Sequence, residues 1–471
     1  MIPSVNTKII ATIGPANKSL DKIIALIKAG ATVFRLNCSH GTHPEFRKVI
    51  SDIRKAEKEN KTVITIILDL QGPKIRLNRF KTPVNIATGS DFTFSLCKNT
   101  DDNPDEVCIA YQALSNETCA GQRVFIDDGK IELRIKSING AKIVTEVKKG
   151  GILNPRKGVN LPDSCLSLPS LTEQDIEDVK FGVKHDVDYI ALSFVRSKKD
   201  VTELRGLLTK LKSRIGVISK IEKPEALKDL RGITEASDAV LVARGDLGVE
   251  IDLERVPAVQ KEILDLGKIT KTPVIVATQM LETMTKNPMP TRAEVTDVFQ
   301  AVKDGADAVM LSGETAVGDF PIEAVKMMKK IIKESEKTTN QKSRTIELSA
   351  DTDKAIASMA SAITDKINAK FICCFTASGW TAKLISKTSI KHPILAFIQT
   401  KDIARRINLY RGVTPVNMNN NISDFDSMFE ILNKKIKIEK LAEIGNKIVV
   451  VAGSPFGQTG STNLMRVHTV Y

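Results

Sequence analysis

Lys220 and Glu222 stand two apart in the 471-residue chain, and Asp246 follows Arg244 and Gly245. Carboxylates with neither histidine nor thiolate beside them offer hard oxygen ligands. That donor set suits Mg²⁺, or Mn²⁺, far better than zinc. The alternative is a pair of carboxylates bonded to backbone. Arg35 and Lys220 supply fixed positive charge for a phosphate or a carboxylate. Lys220 also suits a Schiff base, which requires a depressed pKa, and the sequence leaves that choice open. Gly245 lets the backbone approach a ligand, and Asp246-Leu247-Gly248 can open a short helix whose amides bind an anion. Two look-alikes carry less. Gly14-Pro15-Ala16-Asn17-Lys18-Ser19 lacks the second glycine of a phosphate-binding P-loop and reads as a loop and helix start. His40 and His43 are three apart but have no third ligand nearby, so His43 reads as a helix-entry residue.

The elements that must position these groups are short apolar runs alternating with helix-period stretches. Eight runs are visible: Ile9 to Ile13, Thr32 to Leu36, Val63 to Leu68, Tyr189 to Phe194, Ile215 to Ser219, Ala239 to Ala243, Pro273 to Ala277 and Ala308 to Ser312. Near-continuous apolar strands alternating with helices mean a parallel sheet covered on its outer face, and eight of them favour a closed (β/α)₈ TIM barrel. Polar groups stand where six of the runs stop: Arg35, Asn37 and Ser39; Asp69; Lys220 and Glu222; Arg244, Gly245 and Asp246; Thr278; and Ser312-Gly313-Glu314. One barrel end would gather them all, which is where such barrels carry active sites.

Residues 72–167 break the rhythm with short strand-like runs and turn signals. Alternation from Lys130 to Ile138 resumes from Lys142 to Val147 across Asn139-Gly140, a hairpin pattern. This segment reads as an all-β module inserted at the active end, placed to act as a lid. The expected organisation is barrel over 1–71, inserted lid over 72–167, barrel again over 168–340, and an open α/β domain over 341–471. A polar stretch at 336–352 suggests the linker. Runs at Phe371 to Phe375, Ile394 to Ile398 and Lys447 to Ala452 supply the last domain's strands.

Composition bounds the rest. Lys and Arg number 69 against 56 Asp and Glu, a net +13, which permits anionic partners without choosing among them. Aromatics at 4% with one tryptophan argue against a base-stacking surface, and most lysines share segments with acids, so no nucleic-acid role is expected. No apolar run approaches a membrane span, and the opening residues lack the basic and apolar regions of a signal peptide. Seven cysteines without a C-x-x-C pair suggest reduced thiols in a cytoplasmic protein.

The motifs form a colinear series that resembles the pyruvate kinase family over nearly the whole length. It includes Thr7-Lys8-Ile9-Ile10-Ala11-Thr12-Ile13-Gly14-Pro15-Ala16, Phe34-Arg35-Leu36-Asn37-Cys38-Ser39-His40-Gly41 and Leu68-Asp69-Leu70-Gln71-Gly72-Pro73-Lys74-Ile75-Arg76. It continues through Ile218-Ser219-Lys220-Ile221-Glu222, Val242-Ala243-Arg244-Gly245-Asp246-Leu247-Gly248 and Ala277-Thr278-Gln279-Met280. The resemblance implies phosphoryl transfer from phosphoenolpyruvate to ADP, giving pyruvate and ATP, the last step of glycolysis. It implies that Glu222 and Asp246 hold Mg²⁺, that Lys220 lies along the transferring phosphoryl and that Arg35 grips the phosphate. Gly245, Asp246 and Thr278 would bind the carboxylate end, with Thr278 ordering water near the enolate. Asn37, His40, Arg76 and Lys157 match nucleotide-side positions. A homotetramer is implied as well.

The chain also departs from the family pattern. Members that need K⁺ carry glutamate where this chain has Lys74 and Thr-Lys where it has Leu70-Gln71. The expectation is that K⁺ is not required, because the Lys74 ammonium stands in for it among Asn37, Ser39, Asp69 and Leu70. Val317 and Ser167 replace a lysine and an aspartate of other members, and no role passes to either. Thr376, Ser378, Gly379 and Thr381 resemble the family's effector-phosphate loop, faced by Gly453 to Gly460. Trp380 stands where a basic residue is common, so the resemblance leaves a phosphorylated effector unidentified. Two other classes compete: a Mg²⁺-dependent barrel lyase acting on a 2-oxo acid, and a basic nucleic-acid binder.

Overall fold

Eight parallel strands close on themselves around a packed interior. They are β1 (Lys8–Thr12), β2 (Val33–Asn37), β3 (Thr65–Asp69), β4 (Tyr189–Leu192), β5 (Gly216–Ile221), β6 (Ala239–Ala243), β7 (Val274–Ala277) and β8 (Ala308–Leu311). Each pairs in parallel with its neighbours in chain order, and β8 returns to β1, with Lys8 opposite Ala308. The computed structural model describes residues 4–338, 349–388, 391–418, 424–454 and 462–471. Both faces of these strands are buried: Ile10, Ile67, Ile218, Leu241 and Ile275 fill the barrel, while Ile9, Leu68, Val217 and Val276 meet the surrounding helices. That two-sided burial is why the strands read as apolar runs.

The helices between strands are capped by their own sequence. Thr42, Thr172 and Thr291 each open a helix with an acid three residues on, and hydroxyl and carboxylate reciprocally satisfy the first amides. His43 is the first residue of His43–Glu59, as its spacing suggested, and its Nε2 lies 2.6 Å from Asp178.

The chain leaves β3 through Gly72, whose φ is +69°; a Cβ there would stand 2.8 Å from the Phe194 ring. The inserted module then folds around its own core of Leu77, Phe94, Leu114, Ile126, Leu133 and Leu153. Its main sheet runs in the order Val159–Asn160, Arg123–Ile126, Ile131–Asn139, Lys142–Lys149, Asp91–Leu96 and Cys108–Ile109. The expected hairpin is present one residue along, with Asn139 opposite Lys142 and Gly140 (φ +61°) in the turn. One helical turn, Leu114–Glu117, interrupts an otherwise all-β module.

The C-terminal sheet has five strands: β9 (Ile372–Phe375), β10 (Ile394–Ile398), β11 (Val413–Asn417), β12 (Lys447–Gly453) and β13 (Thr462–Thr469). Their order is β11-β10-β9-β12-β13, parallel except for the last pair. Two of the five were not expected, because β11 contains Pro415 and β13 is a polar edge strand. The linker expectation also needs correction at its start. Helix Pro321–Thr338 runs through Glu336, whose carboxylate accepts the Asn6 and Thr7 amides; residues 339–348 lie outside those described.

This domain plugs the barrel's N-terminal end. Leu409 packs among the barrel's interior residues, Asn408 donates to the Thr32 and Val63 carbonyls, and Lys387 pairs with Asp307 at 2.5 Å in a buried contact. Lys8 donates to the Val413 carbonyl at 2.6 Å across the same junction. Burial pulls the Lys8 amine down from 10.5 to about 8, with Glu336 opposing. Between those values the unfolded chain holds more protons than the folded one, so stability rises with pH. Relative to Lys8→Met, the wild type should gain about 3 kcal/mol of unfolding free energy across that window. Denaturant titrations of both proteins at several pH values check this, and parallel curves would contradict it.

Candidate active site

At the opposite, C-terminal end of the barrel, charge concentrates on neighbouring strand ends. Asp69, at the end of β3 and 99% buried, accepts from Arg35 Nε at 2.6 Å through Oδ2. Lys220 Nζ stands 3.4 Å from Asp69 Oδ1, 2.8 Å from Glu222 Oε1 and 2.8 Å from Ser193 Oγ. Burial opposes ionisation of Asp69, but Lys220 and Arg35 together hold its carboxyl below the usual value. Burial likewise opposes the Lys220 ammonium, and Asp69 and Glu222 outweigh it, so its pKa is raised. A Schiff base needs the neutral amine. The carboxylates around the amine therefore favour the ammonium, and with it a charge-stabilising role, over a Schiff base at Lys220.

Glu222 follows β5 and is 99% buried, with Oε2 accepting the Phe194 amide at 2.8 Å. Burial raises its pKa, Lys220 opposes, and the charge of Asp246 adds to the rise. Asp246 lies on the helix Arg244–Glu250 with a third of its side chain exposed. Two carboxylates that repel each other, supplied by oxygen donors alone, fit a hard divalent cation. Among the described residues no group of three or more His, Cys, Asp or Glu is arranged to hold a metal alone. Mg²⁺ characteristically takes one or two carboxylates and completes its shell from substrate and water.

Thr278 and Gln279, just beyond β7, have φ of +65° and +52°, costly for a β-branched residue. Thr278 Oγ1 donates to the Ala277 carbonyl at 2.6 Å and accepts the Gly245 amide at 2.7 Å. Arg244 holds the strained turn in place. Its guanidinium donates to the carbonyls of Ala277 (3.3 Å), Thr278 (2.7 Å) and Gln279 (3.1 Å), and pairs with Asp297 at 2.5 Å. The sequence marked Arg244 as a strand end without seeing this clamp, and it missed Ser193 altogether. An arginine opening a helix straight after a buried strand was the available signal for the first. Glu314, also fully buried, accepts the Leu281 and Ser312 amides and braces the loops after β7 and β8.

The residues expected on the nucleotide side lie on the strand ends and on the inserted module. Asn37 Oδ1 accepts the Ser39 amide at 3.1 Å. Burial lowers the His40 pKa, and Arg76, Arg35 and Lys74 lower it further, which favours the neutral imidazole. Arg76 donates to the Arg156 carbonyl at 3.2 Å, and Lys157 pairs with Asp127 at 2.8 Å. Lys74 is not where expected. Its Nζ lies 3.8 Å from Asp128 and 4.0 Å from Asp246, rather than among Asn37, Ser39 and Asp69. The left-handed turn at Gly72 sends the chain toward the inserted module, and Asp69 already has Arg35 and Lys220. Leu70 is buried, its carbonyl accepting from Ser193 Oγ at 2.7 Å.

In the C-terminal domain the hydroxyl-rich turn satisfies two of its own amides, those of Gly379 and Trp380. Thr376 Oγ1 accepts from Gly379 at 3.0 Å, Ser378 Oγ from Trp380 at 3.4 Å, and Thr381 Oγ1 pairs with Thr462 at 2.6 Å. The Trp380 indole donates to Asp353 at 2.6 Å. Most of the loop expected to face this turn, residues 455–461, lies outside those described. No helix among the described residues is long and apolar enough to cross a membrane.

Comparison with known proteins matches the same regions. Residues 4–325 match the family model described as pyruvate kinase, barrel domain, and 354–468 that described as pyruvate kinase, alpha/beta domain. The chain is 40% identical over 466 residues to a pyruvate kinase of Agrobacterium vitis, covering 98% of this chain and 96% of that protein. A Corynebacterium glutamicum pyruvate kinase is 40% identical over 98% of this chain and 97% of its own. One from Geobacillus stearothermophilus is 39% identical, with 98% of this chain and 80% of that one covered.

Proposed function

We propose a division of labour at this site on one premise: the chain belongs to the pyruvate kinase family, phosphotransferases that move the phosphoryl group of phosphoenolpyruvate to ADP and release pyruvate and ATP. Phosphoryl transfer through a loose transition state calls for positioning and countercharge more than for a nucleophile. Arg35 grips the transferring phosphate, oriented by its bond to Asp69. Lys220 lies along the phosphoryl and stabilises the charge that develops as the bond to the enolate oxygen lengthens. Glu222 and Asp246 are the residues that would hold Mg²⁺, with Mn²⁺ as a substitute, and the bound ion would neutralise charge on the substrate's carboxylate and enolate oxygens. Gly245, Asp246 and Thr278 seat the carboxylate end. The Thr278 hydroxyl proton already goes to the Ala277 carbonyl, so Thr278 orders water for enolate protonation rather than acting as the acid.

Asn37, His40, Arg76 and Lys157 face the ADP phosphates, with Lys157 arriving on the inserted module. Lys74 supplies resident positive charge beside Asp246, which makes K⁺ unnecessary. The enzyme is cytoplasmic and homotetrameric in this reading. A phosphorylated effector at Thr376, Ser378, Gly379 and Thr381 would displace the hydroxyl groups that now accept the Gly379 and Trp380 amides.

One observation carries the reading: the chain of Arg35, Asp69, Lys220 and Glu222, with Asp246 alongside, at the mouth of the barrel. ATP formation from phosphoenolpyruvate and ADP, followed by a coupled assay, tests it. Chelation should abolish the rate and added Mg²⁺ restore it, and Asp246→Asn should raise the Mg²⁺ needed for half-maximal rate by about tenfold or more. A rate indifferent to chelation would contradict the assignment.

A further inference from the structure

The inserted module is seated on the very helix that carries Gly245 and Asp246. Four of its contacts fall on Arg244–Glu250 and the residues just after. Lys74 Nζ reaches Asp246 at 4.0 Å, and the turn at Gly129 lies over Val249, whose methyls would stand 3.9 and 4.0 Å from an added Cβ. Asn160 Nδ2 donates to Glu250 Oε1 at 2.7 Å, and Arg123 stands 3.6 Å from Asp252.

Of these, the Asn160 contact is built differently from a surface pairing. Asn160 and Glu250 are 7% and 3% exposed. The same Oε1 also accepts from Lys223 Nζ at 2.6 Å, so the buried carboxylate has a counterion from the barrel itself. Lys223 in turn stands over the Phe194 ring at 5.9 Å, and the Phe194 amide holds Glu222. Both carboxylates assigned to the metal are therefore on segments that meet at Glu250: Asp246 one helical turn before it, and Glu222 next to its lysine partner. Asn160 Oδ1 and Glu250 Oε2 are buried with no hydrogen-bond partner. A small cavity of about 40 Å³ borders Asn160 and is also lined by Lys74, Lys223 and Glu225.

A buried carboxylate left alone costs several kcal/mol, which would make any contact to it irreversible. Here Lys223 stays whether or not the lid does, so removing Asn160 leaves a paired ion rather than a bare one. The contact can be made and broken. We propose that Glu250 is a positioning residue for phosphoryl transfer: with Lys223 it forms a fixed socket for Asn160 of the lid, so that lid closure is transmitted to Asp246 and Glu222. This rests on the reading of residues 72–167 as a lid over a phosphoryl-transfer site.

A closed lid keeps water from the phosphoryl group. When it fails, water attacks phosphorus, the bond from phosphorus to the enolate oxygen breaks, and inorganic phosphate and pyruvate form without ATP. The readout is the ratio of inorganic phosphate to ATP produced from phosphoenolpyruvate and ADP. Asn160→Leu should raise that ratio about tenfold or more and raise the KM for ADP, the range expected on losing a hydrogen bond to a charged group. Glu250→Leu, which also strips Lys223 of its counterion, should raise the ratio at least as far, and the double variant should be no worse than Glu250→Leu alone, because the two residues act through one contact. Glu250→Gln keeps a carbonyl oxygen for both donors and should recover most of the wild-type ratio. If Asn160→Leu fails to fold by circular dichroism, Asn160→Asp, which sets a like charge against Glu250, is read instead and should shift the ratio in the same direction. Folded variants with the wild-type ratio, or additive effects in the double variant, overturn the socket. A wild type that makes no ATP overturns the phosphoryl-transfer reading beneath it.

Discussion

Lys220→Met is expected to lower kcat by about a thousandfold or more, the scale seen when a cation that meets transition-state charge on a phosphoryl group is removed. The KM for phosphoenolpyruvate should change far less, because Arg35 still holds the phosphate and is fixed by Asp69 at 2.6 Å. The loss has a structural component that must be measured separately. Lys220 is shared by Asp69 and Glu222, both about 99% buried, and its removal strips one counterion from each. Asp69 keeps Arg35, and Glu222 keeps the Phe194 amide. The variant should therefore fold with a lowered unfolding midpoint and retain Mg²⁺ or Mn²⁺ binding. Single-turnover rates with bound divalent cation separate chemistry from assembly. A folded Lys220→Met enzyme within tenfold of the wild-type kcat would remove Lys220 from the transition state.

Lys74→Glu should create a requirement for K⁺. The substitution replaces an ammonium 4.0 Å from Asp246 with a carboxylate, changing the local charge by two units beside an anionic substrate. Without K⁺ the rate should fall about a hundredfold, roughly 2.7 kcal/mol, and added K⁺ should recover most of it. The wild type should be indifferent to K⁺ in the same buffer. A variant whose rate is unchanged, or whose loss no monovalent cation repairs, would show that Lys74 does not serve in place of the ion.

These two residues illustrate what the sequence could and could not say. The barrel was legible because its strands are buried on both faces, so β6, β7 and β8 read as unbroken apolar runs and β2 and β5 as mostly apolar ones. Their polar ends, Arg35, Lys220 and Asp246, were legible for the same reason: a charge directly after such a run has little else to do. The C-terminal strands β11 and β13 were not, because Pro415 interrupts one and the other is an antiparallel edge with exposed polar positions. Lys74 was named from the family pattern, yet its direction depends on the Gly72 turn, a backbone property that no spacing rule reports. Arg244 and Glu250 escaped for a further reason. Their work is done by bonds to carbonyls and side chains 27 or more residues away, and periodicity carries no trace of such partners. The net charge of +13 is likewise more specific in the structure than in the count. Arg35, Lys74 and Arg76 act together on His40, and Lys220 stands three strands along at the same end of the barrel, while many other lysines pair with acids on exposed helices.

The proposed chemistry is transfer of a phosphoryl group from phosphoenolpyruvate to ADP with a divalent cation as the only added metal. The most direct test is the rate of ATP formation against phosphoenolpyruvate concentration, in Mg²⁺ buffer, with and without K⁺. Full activity is expected with Mg²⁺ alone, with no change on adding K⁺. No ATP, or a rate that rises about a hundredfold with K⁺, would contradict it.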